Sequence, residues 1–410
     1  MAIEIRPVRG KKELKTFIYL PEKKYYKDCP QWVPPFYDDE PGFYNPAKNP
    51  AYNYSDAEIF LAWDGDEAVG RIMVIDQHRM NERFKMKNAR FSLLESPENK
   101  EIACALLKTV EDWAKERGLE TISGPHGFSD QDPEGMLVMG FEHRATIASY
   151  YNFPYLPKLV EECGYIKDFD YRVFEVQLPK EPPPLYIKIA QRLRRQGFSI
   201  TNFTKKKEIY PHLANYVKIQ NETFSEIYGF VPLEQDEGEK LIKAYLRIID
   251  PHFVKFVYKI PKEEAGRVID PSKDEIVGFI AGIPDITEGI QKAKGKILPF
   301  GIFNILAARK NTDQLDLLMA GIKEKYRNKG LSALFAVNLI RDAHKLGYDH
   351  IDTHQELEFN KNVHSEWDRF ESREYKRLRV FKKELVPDGF ERNPRPHDEI
   401  HDAEEFIAKA

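Results

Sequence analysis

Cysteine is scarce in this 410-residue chain. Cys29, Cys104 and Cys163 are widely separated, show no C-x-x-C spacing and do not make the even set of a disulfide framework. That usage predicts a reducing, cytoplasmic setting. Long apolar runs are also missing: no stretch approaches the roughly 20 residues that a membrane-spanning helix needs. The opening Met1-Ala2-Ile3-Glu4-Ile5-Arg6-Pro7 alternates like a strand and lacks the apolar core of a signal peptide. Secretion and integral membrane insertion are therefore not expected, while peripheral membrane contact stays open. Neither charge is in excess. With 62 Lys plus Arg against 66 Asp plus Glu, the net charge of −4 gives no electrostatic ground for nucleic acid as a partner. The eleven histidines are scattered without H-E-x-x-H or a Cys/His set, so no metal site is expected. Neither a nucleophile elbow nor a Walker-type loop occurs.

What is present is length, aromatic residues and one strong punctuation mark. The length predicts two or three domains, and the 12% aromatic content suits several sheets or ring-walled pockets. At Pro179-Lys180-Glu181-Pro182-Pro183-Pro184 three consecutive prolines deny the backbone both ladder donors and helical geometry. The expected organisation is a first module over 1–180, a linker over 181–186, a second module over 187–386 and a charged tail over 387–410.

The two halves share an element order. In the first, strands at 3–7, 57–63, 68–75 and 89–94 are followed by a helix over 99–117, a strand at 119–123, a short helix near 156–163 and a strand at 171–178. Asp64-Gly65-Asp66 is a hairpin signal. Ile102, Leu106, Val110 and Trp113 mark one face of the long helix, which Gly118 closes. In the second, a strand at 200–203 precedes helices over 210–224 and 235–249. Strands at 253–260, 275–283 and 315–320 follow, then a helix over 331–346, a strand at 350–353, a helix from about 360 to 371 and a strand at 377–383. The fold class is thus α+β, with two tandem modules, each a mixed and mostly antiparallel twisted sheet flanked by helices.

The sharpest local signal is the strand around Leu318 running into Arg327-Asn328-Lys329-Gly330-Leu331-Ser332, which opens a helix with Leu331, Leu334, Phe335 and Ala343 on one stripe. A helix start offers unpaired N–H groups and the positive end of its dipole, so it receives phosphate readily. Arg327 and Lys329 add charge, and Gly330 permits close backbone approach.

This loop resembles motif A of the GNAT superfamily of acyl-CoA N-acyltransferases, Arg/Gln-x-x-Gly-x-Gly/Ala. Arg327 and Gly330 match, and Ser332 takes the last small position. The resemblance extends to a group of bacterial tandem GNAT-like proteins. It is carried by Gln31-Trp32-Val33-Pro34-Pro35, Gly70-Arg71-Ile72, Gly124-Pro125 with Phe128-Ser129, Tyr228-Gly229-Phe230-Val231-Pro232-Leu233 and Ile249-Asp250-Pro251. It implies acetyl-CoA or another acyl-CoA as co-substrate, a pyrophosphate held by Arg327 to Ser332, and backbone partners at Leu318, Met319 and Ala320, with Asn360 as a further contact. It also implies transfer of an acetyl or longer acyl group to a small-molecule or lipid-like primary amine. A sphingoid base is one such acceptor, since some bacterial ceramide-forming enzymes look GNAT-like. The alternative is a non-catalytic acyl-CoA-binding protein.

In the first half the corresponding turn, Leu94-Glu95-Ser96-Pro97-Glu98-Asn99-Lys100, has no glycine and carries carboxylates where a pyrophosphate would sit. That half is expected to be degenerate. N-acyl transfer needs a proton acceptor for the amine and an acid for the leaving thiolate. Glu356 and His354 are the candidate acceptors. Tyr375 is the candidate acid, because Trp367 and Phe370 stand in the helix where many GNAT enzymes carry a tyrosine. Two further stretches bear on the acceptor site. His126 to Asp132, with Tyr150-Tyr151-Asn152, is a turn-rich segment suited to a cleft wall or a brace. The apolar run 297–308, preceded by Lys292, Lys294 and Lys296, is expected to pack onto the sheet, with a lipid cover or a membrane-facing surface as alternatives.

Overall fold

Alternating patterns in both halves lead to one sheet. The computed structural model describes residues 3–225, 227, 230–235, 238, 246 and 249–386. The expected helix over 235–249, the Tyr228-Gly229 pair and the tail over 387–410 fall wholly or mostly outside the described residues. The first half supplies β1 (Glu4–Pro7), β2 (Ser55–Asp64), β3 (Glu67–Gln77), β4 (Asn88–Glu95), β5 (Thr121–Gly124), β6 (Met136–Met139) and β7 (Ile166–Gln177). The second supplies β8 (Phe198–Ile200), β9 (Val254–Lys259), β10 (Glu275–Pro284), β11 (Gln314–Ile322), β12 (His350–Asp352), β13 (Glu356–Leu357) and β14 (Ser372–Glu384). The sheet order is β1-β2-β3-β4-β5-β14-β7-β12-β11-β10-β9-β8, with β6 against β14 and β13 against β7.

The centre of that order shows how the halves are joined. β14, the last described strand of the chain, lies between β5 and β7 of the first half, and β7 in turn pairs with β12 of the second. Each half therefore closes with a strand set against the other. Among the described residues only β4–β5 and β11–β12 are parallel, each over three residue pairs, and beyond those pairs the strands part. In the first half the gap is filled from within. The N–H of His126 donates to Phe91 O at 2.9 Å, and the buried Arg90 guanidinium donates to Gly127 O at 2.9 Å. In the second half the gap opens into a cavity.

Helices cover the sheet through apolar stripes. The Lys100–Glu116 helix buries Ile102, Leu106, Val110 and Trp113, as its pattern predicts, and Asn99 caps it by accepting from Ile102 N at 3.2 Å. Its amino terminus is thus occupied by its own side chain. The Leu331–Leu346 helix buries Leu331, Leu334, Phe335 and Ala343 and lies between Gly330 and Gly347, at φ 90° and 93°.

Two expectations need correction. Cys104 and Cys163 are joined in a disulfide 59 residues apart in sequence. The first lies on the Lys100–Glu116 helix and the second ends the Tyr155–Glu162 helix packed beside it. Spacing along the chain could not reveal a bridge made by two helices meeting, and with two of the three cysteines paired, cysteine usage no longer points to a reducing setting. The apolar run 297–308 is mostly a helix, Gly301–Asn311, that packs through Gly301, Ile305 and Ala308 but leaves Phe303 and Leu306 exposed. No helix among the described residues is long and apolar enough to cross a membrane.

Candidate active site

β11 positions the site. Its pairing with β12 ends at Asp316–Asp352, and it then continues to Ile322 along β10 alone. Along that stretch the β10 register slips, so that Ala281 faces Met319 while Gly282 faces Leu317. Leu318 is therefore the extra residue of a bulge. Among the described residues, no strand faces one edge of β11 from Leu317 onward, and the main chain there borders a cavity of about 990 Å³.

One end of the cavity is the turn before the Leu331–Leu346 helix. Asn328 and Gly330 both take left-handed conformations, at φ 60° and 90°, and no side chain among the described residues caps the helix start. A Cβ on Gly330 would lie 2.6 Å from Ile189 Cγ2, so glycine is required for space as well as for φ. These features fit a phosphate: the first-turn N–H groups have no capping side chain, and Arg327 and Asn328 stand on the wall. One feature works against an anion. Ser332 Oγ donates to Glu366 Oε1 at 3.1 Å, which places a carboxylate at the cradle, although Arg369 pairs with that carboxylate at 2.8 Å.

The other proposed coenzyme contacts divide. Leu318, Met319, Ala320, Leu331, Ser332 and Asn360 line the cavity. Asn360 uses its side-chain oxygen to cap the Lys361–Trp367 helix. Lys329 is absent from the wall and sits over the Tyr326 ring, 5.1 Å from its centroid.

The titratable groups form two layers. His354 and Glu356 line the cavity. His354 is 8% exposed, adopts φ 56°, and its Nε2 finds no hydrogen-bond partner among the described residues. Burial holds its imidazole below its ordinary pKa despite the charge of Asp352, so it is neutral near pH 7. Glu356 accepts from the Trp367 indole N–H with both oxygens, at 2.8 and 3.0 Å, and burial raises its pKa to about 8. It carries a proton at neutral pH.

Behind this wall lies a buried network. Asp352 accepts from the His354 main-chain N–H at 2.7 Å and from the Tyr375 hydroxyl, and Lys376 Nζ stands 3.3 Å from it. Burial works against the Asp352 charge, yet Lys376, His354 and Tyr375 outweigh it and hold the carboxylate below its usual range. Asp316 shows the opposite behaviour. Burial and the neighbouring Asp352 and Asp285 charges push it well above, so it retains its proton. Tyr375 is not on the cavity wall. Its hydroxyl is engaged by Asp352, and burial with that charge raises its pKa.

The chain's first half also reaches the cavity, through Asp130, Gln131, Asp132 and Glu134. Burial raises Asp130 to about 8 and Asp132 to about 6. Gln355 donates to Glu134 O at 2.8 Å and so ties this loop to the segment that carries His354 and Glu356. The turn-rich segment ending at Asp132 thus both braces and lines, whereas Glu134 lies just past it and had no motif to mark it. An apolar extension of the cavity, lined by Leu213, Tyr216, Leu246, Ile249 and Phe256, was not foreseen either. Elsewhere Asp313, Asp349 and His350 bring ligand atoms within 4.8 Å of one another, but they are not on the cavity wall.

No family model matches the chain. It is 27% identical over 393 residues to the bacterial ceramide synthase of Caulobacter vibrioides (strain NA1000 / CB15N), covering 93% of this chain and 98% of that protein. It is 23% identical over 390 residues to protein YghO of Escherichia coli (strain K12), covering 93% and 95%. Among solved structures, a tandem GNAT protein from the clavulanic acid biosynthesis pathway superposes with a TM-score of 0.52 at 12% identity, over 94% of this chain and all of that one. The fold is therefore the tandem GNAT fold that the glycine loop implied.

Proposed function

We propose that the chain is an N-acyltransferase that moves an acyl group from acyl-CoA to a primary amine. The observation that carries this reading is the continuity of one cavity from the uncapped start of the Leu331–Leu346 helix, along the free edge of β11, to His354 and Glu356. The cradle from Arg327 to Ser332 would hold the pyrophosphate, and the main chain around Leu318 to Ala320 would hold the pantetheine and the acyl carbonyl.

The proton steps follow from the two cavity-facing groups. Neutral His354 accepts the proton that the amine loses as its nitrogen bonds to the acyl carbon. The C–S bond breaks, and Glu356 supplies its proton to the sulfur. Exchange with solvent then returns a proton from the imidazolium to the carboxylate. The apolar extension suits a long hydrocarbon chain on the donor or the acceptor, and the similarity to a ceramide synthase favours a lipid-like amine.

The test is free-thiol release from acyl-CoA esters of two to sixteen carbons with short and long-chain amines, for wild type and Gly330→Glu. Release by the wild type that the substitution abolishes is the expected result. Uptake of acyl-CoA without release under every pairing would instead favour a non-catalytic acyl-CoA-binding protein, a reading to which the carboxylate of Glu366 at the cradle lends some weight.

A further inference from the structure

The segment between β10 and β11 presents two faces that the proposed chemistry does not use. Gly301, Ile305 and Ala308 of the Gly301–Asn311 helix turn inward, where Ile305 packs with Ile286 and Ile290. Leu298, Phe300, Phe303 and Leu306 turn outward, with between 51% and 75% of their surface exposed. They account for four of the ten large apolar residues exposed among the described residues, gathered within nine positions. Isolated exposed apolar residues need no explanation, but a contiguous group of this kind marks an interaction surface.

The charges around the group specify the partner. Lys294, Lys296 and Lys310 are exposed and make no salt bridge among the described residues, and Lys292 pairs with Glu288. From 288 to 311 Glu288 is the only carboxylate against four lysines and Arg309, and the facing carboxylates are Asp250, which pairs with Arg309, and the exposed Asp38, which accepts from Ile297 N at 3.2 Å. Three exposed lysines without a salt-bridge partner among the described residues therefore remain, in a chain whose net charge is −4. We infer that this surface docks on an anionic lipid bilayer, with Leu298, Phe300, Phe303 and Leu306 entering the headgroup boundary and the lysines meeting the lipid phosphates. At 11 residues the helix is far too short to span, so it lies in the plane of the interface.

The rear of the helix is held firmly enough for such a role. Arg309 pairs with Asp250 at 2.5 Å, and the main chain of the preceding loop is pinned to the first half by Tyr37 N donating to Gly295 O at 2.9 Å. Asp250 follows Ile249, which lines the apolar extension of the cavity. A bilayer seated on this helix is therefore mechanically close to the part of the cavity fitted to a hydrocarbon chain. The docking itself does not depend on the proposed reaction.

The test is co-sedimentation of the full chain with vesicles of phosphatidylcholine containing 30% phosphatidylglycerol, and with pure phosphatidylcholine vesicles. The wild type is compared with Phe300→Ser/Phe303→Ser and Lys294→Glu/Lys296→Glu, and light scattering reports the oligomeric state of each. We expect binding to the anionic vesicles only, and a loss of roughly tenfold or more in partitioning for each double variant, given about one kcal/mol per basic residue near an anionic surface. Thermal melting unchanged from wild type would establish that the variants fold. Wild type that stays in the supernatant would overturn the proposal. So would binding that neither double variant weakens, or a dimer that the phenylalanine substitutions dissociate, since the surface would then belong to a second copy of the chain.

Discussion

The main-chain N–H of His354 donates to Asp352 Oδ1 at 2.7 Å, and that contact holds the histidine in a left-handed conformation at φ 56°. A non-glycine residue rarely adopts this conformation unless its surroundings impose it. Here they do. Tyr375 and Lys376, adjacent on β14, both converge on the same carboxylate. Because β14 also borders β5 of the first half, the conformation of His354 depends on strands from both halves of the chain.

Replacing Asp352 by Asn should therefore cost more than a hydrogen bond. It leaves the Lys376 ammonium, whose side chain is 5% exposed, without its countercharge, and breaking one partner of a buried pair costs about 3–5 kcal/mol. Urea unfolding of D352N should show a loss of that order. A loss below about 1 kcal/mol would mean that Lys376 is served by other groups.

The pH profile of kcat/KM should separate the two cavity-facing candidates. His354 must be neutral to accept a proton, so the acid limb should lie below its ordinary 6.5, as burial dictates. Glu356 must be protonated to donate, so activity should fall as pH rises through about 8. In Glu356→Gln, which cannot ionise, the maximum should drop by about tenfold to a thousandfold and the limb near 8 should vanish. An alkaline limb that persists unchanged in that variant would show that Glu356 is not the proton donor.

Two substitutions at the cradle should act in opposite directions. Gly330→Ala introduces a Cβ 2.6 Å from Ile189 at φ 90°, at a cost of about 1–3 kcal/mol, and should weaken acyl-CoA binding by at least tenfold. Glu366→Gln removes a negative charge beside Ser332 and should tighten binding by a few fold. Calorimetry with CoA reads both, and tightening that fails to appear would place the pyrophosphate away from Ser332.

The features legible in the sequence were those decided by neighbouring residues. Gly330 and Gly347 bracket an apolar stripe, and the helix between them runs over Leu331–Leu346 as expected. Asp64-Gly65-Asp66 closes the β2–β3 hairpin, where Asp64 faces Glu67. That His354, Glu356 and most of the glycine loop share one cavity follows from their places in the chain, after the strand and around the loop that opens the helix. The pairings of β7 with β12 and of β14 with β5 could not be read, since an alternating strand has the same pattern whichever strand it meets. β6 and β13 are too short to alternate. Asp352 was within the expected segment, but its role depends on Tyr375 and Lys376, more than twenty positions away. The exposed Phe303 and Leu306 were hidden inside an apolar run that gave no sign of which members face outward.

The Cys104–Cys163 bridge can be counted directly. Thiol titration of the denatured, unreduced protein should find one reactive group, Cys29, and not three. Reduction should lower stability by about 2–4 kcal/mol, because the bridge closes a long loop of the unfolded chain. Three thiols would return the cysteines to the unpaired state that their spacing suggested.

Acid stability should be set in part by His212. Its ring packs among Phe203, Phe256 and Tyr258, its Nδ1 lies 2.7 Å from the Tyr258 hydroxyl, and burial lowers its pKa to about 4. Between pH 6.5 and 4 the unfolded chain binds a proton that the folded chain does not, so stability rises with pH across that window and is lost as pH falls through it. The contribution is at most about 3 kcal/mol, at 1.36 kcal/mol per pKa unit. His212→Gln should lower stability at pH 7 but flatten its dependence between pH 6.5 and 4, because glutamine has no proton to gain. Denaturant unfolding of both proteins at pH 4, 5, 6 and 7 measures the difference in slope. Parallel curves would show that the imidazole is solvated in the folded state and that the aromatic cage around it does not exclude its charge.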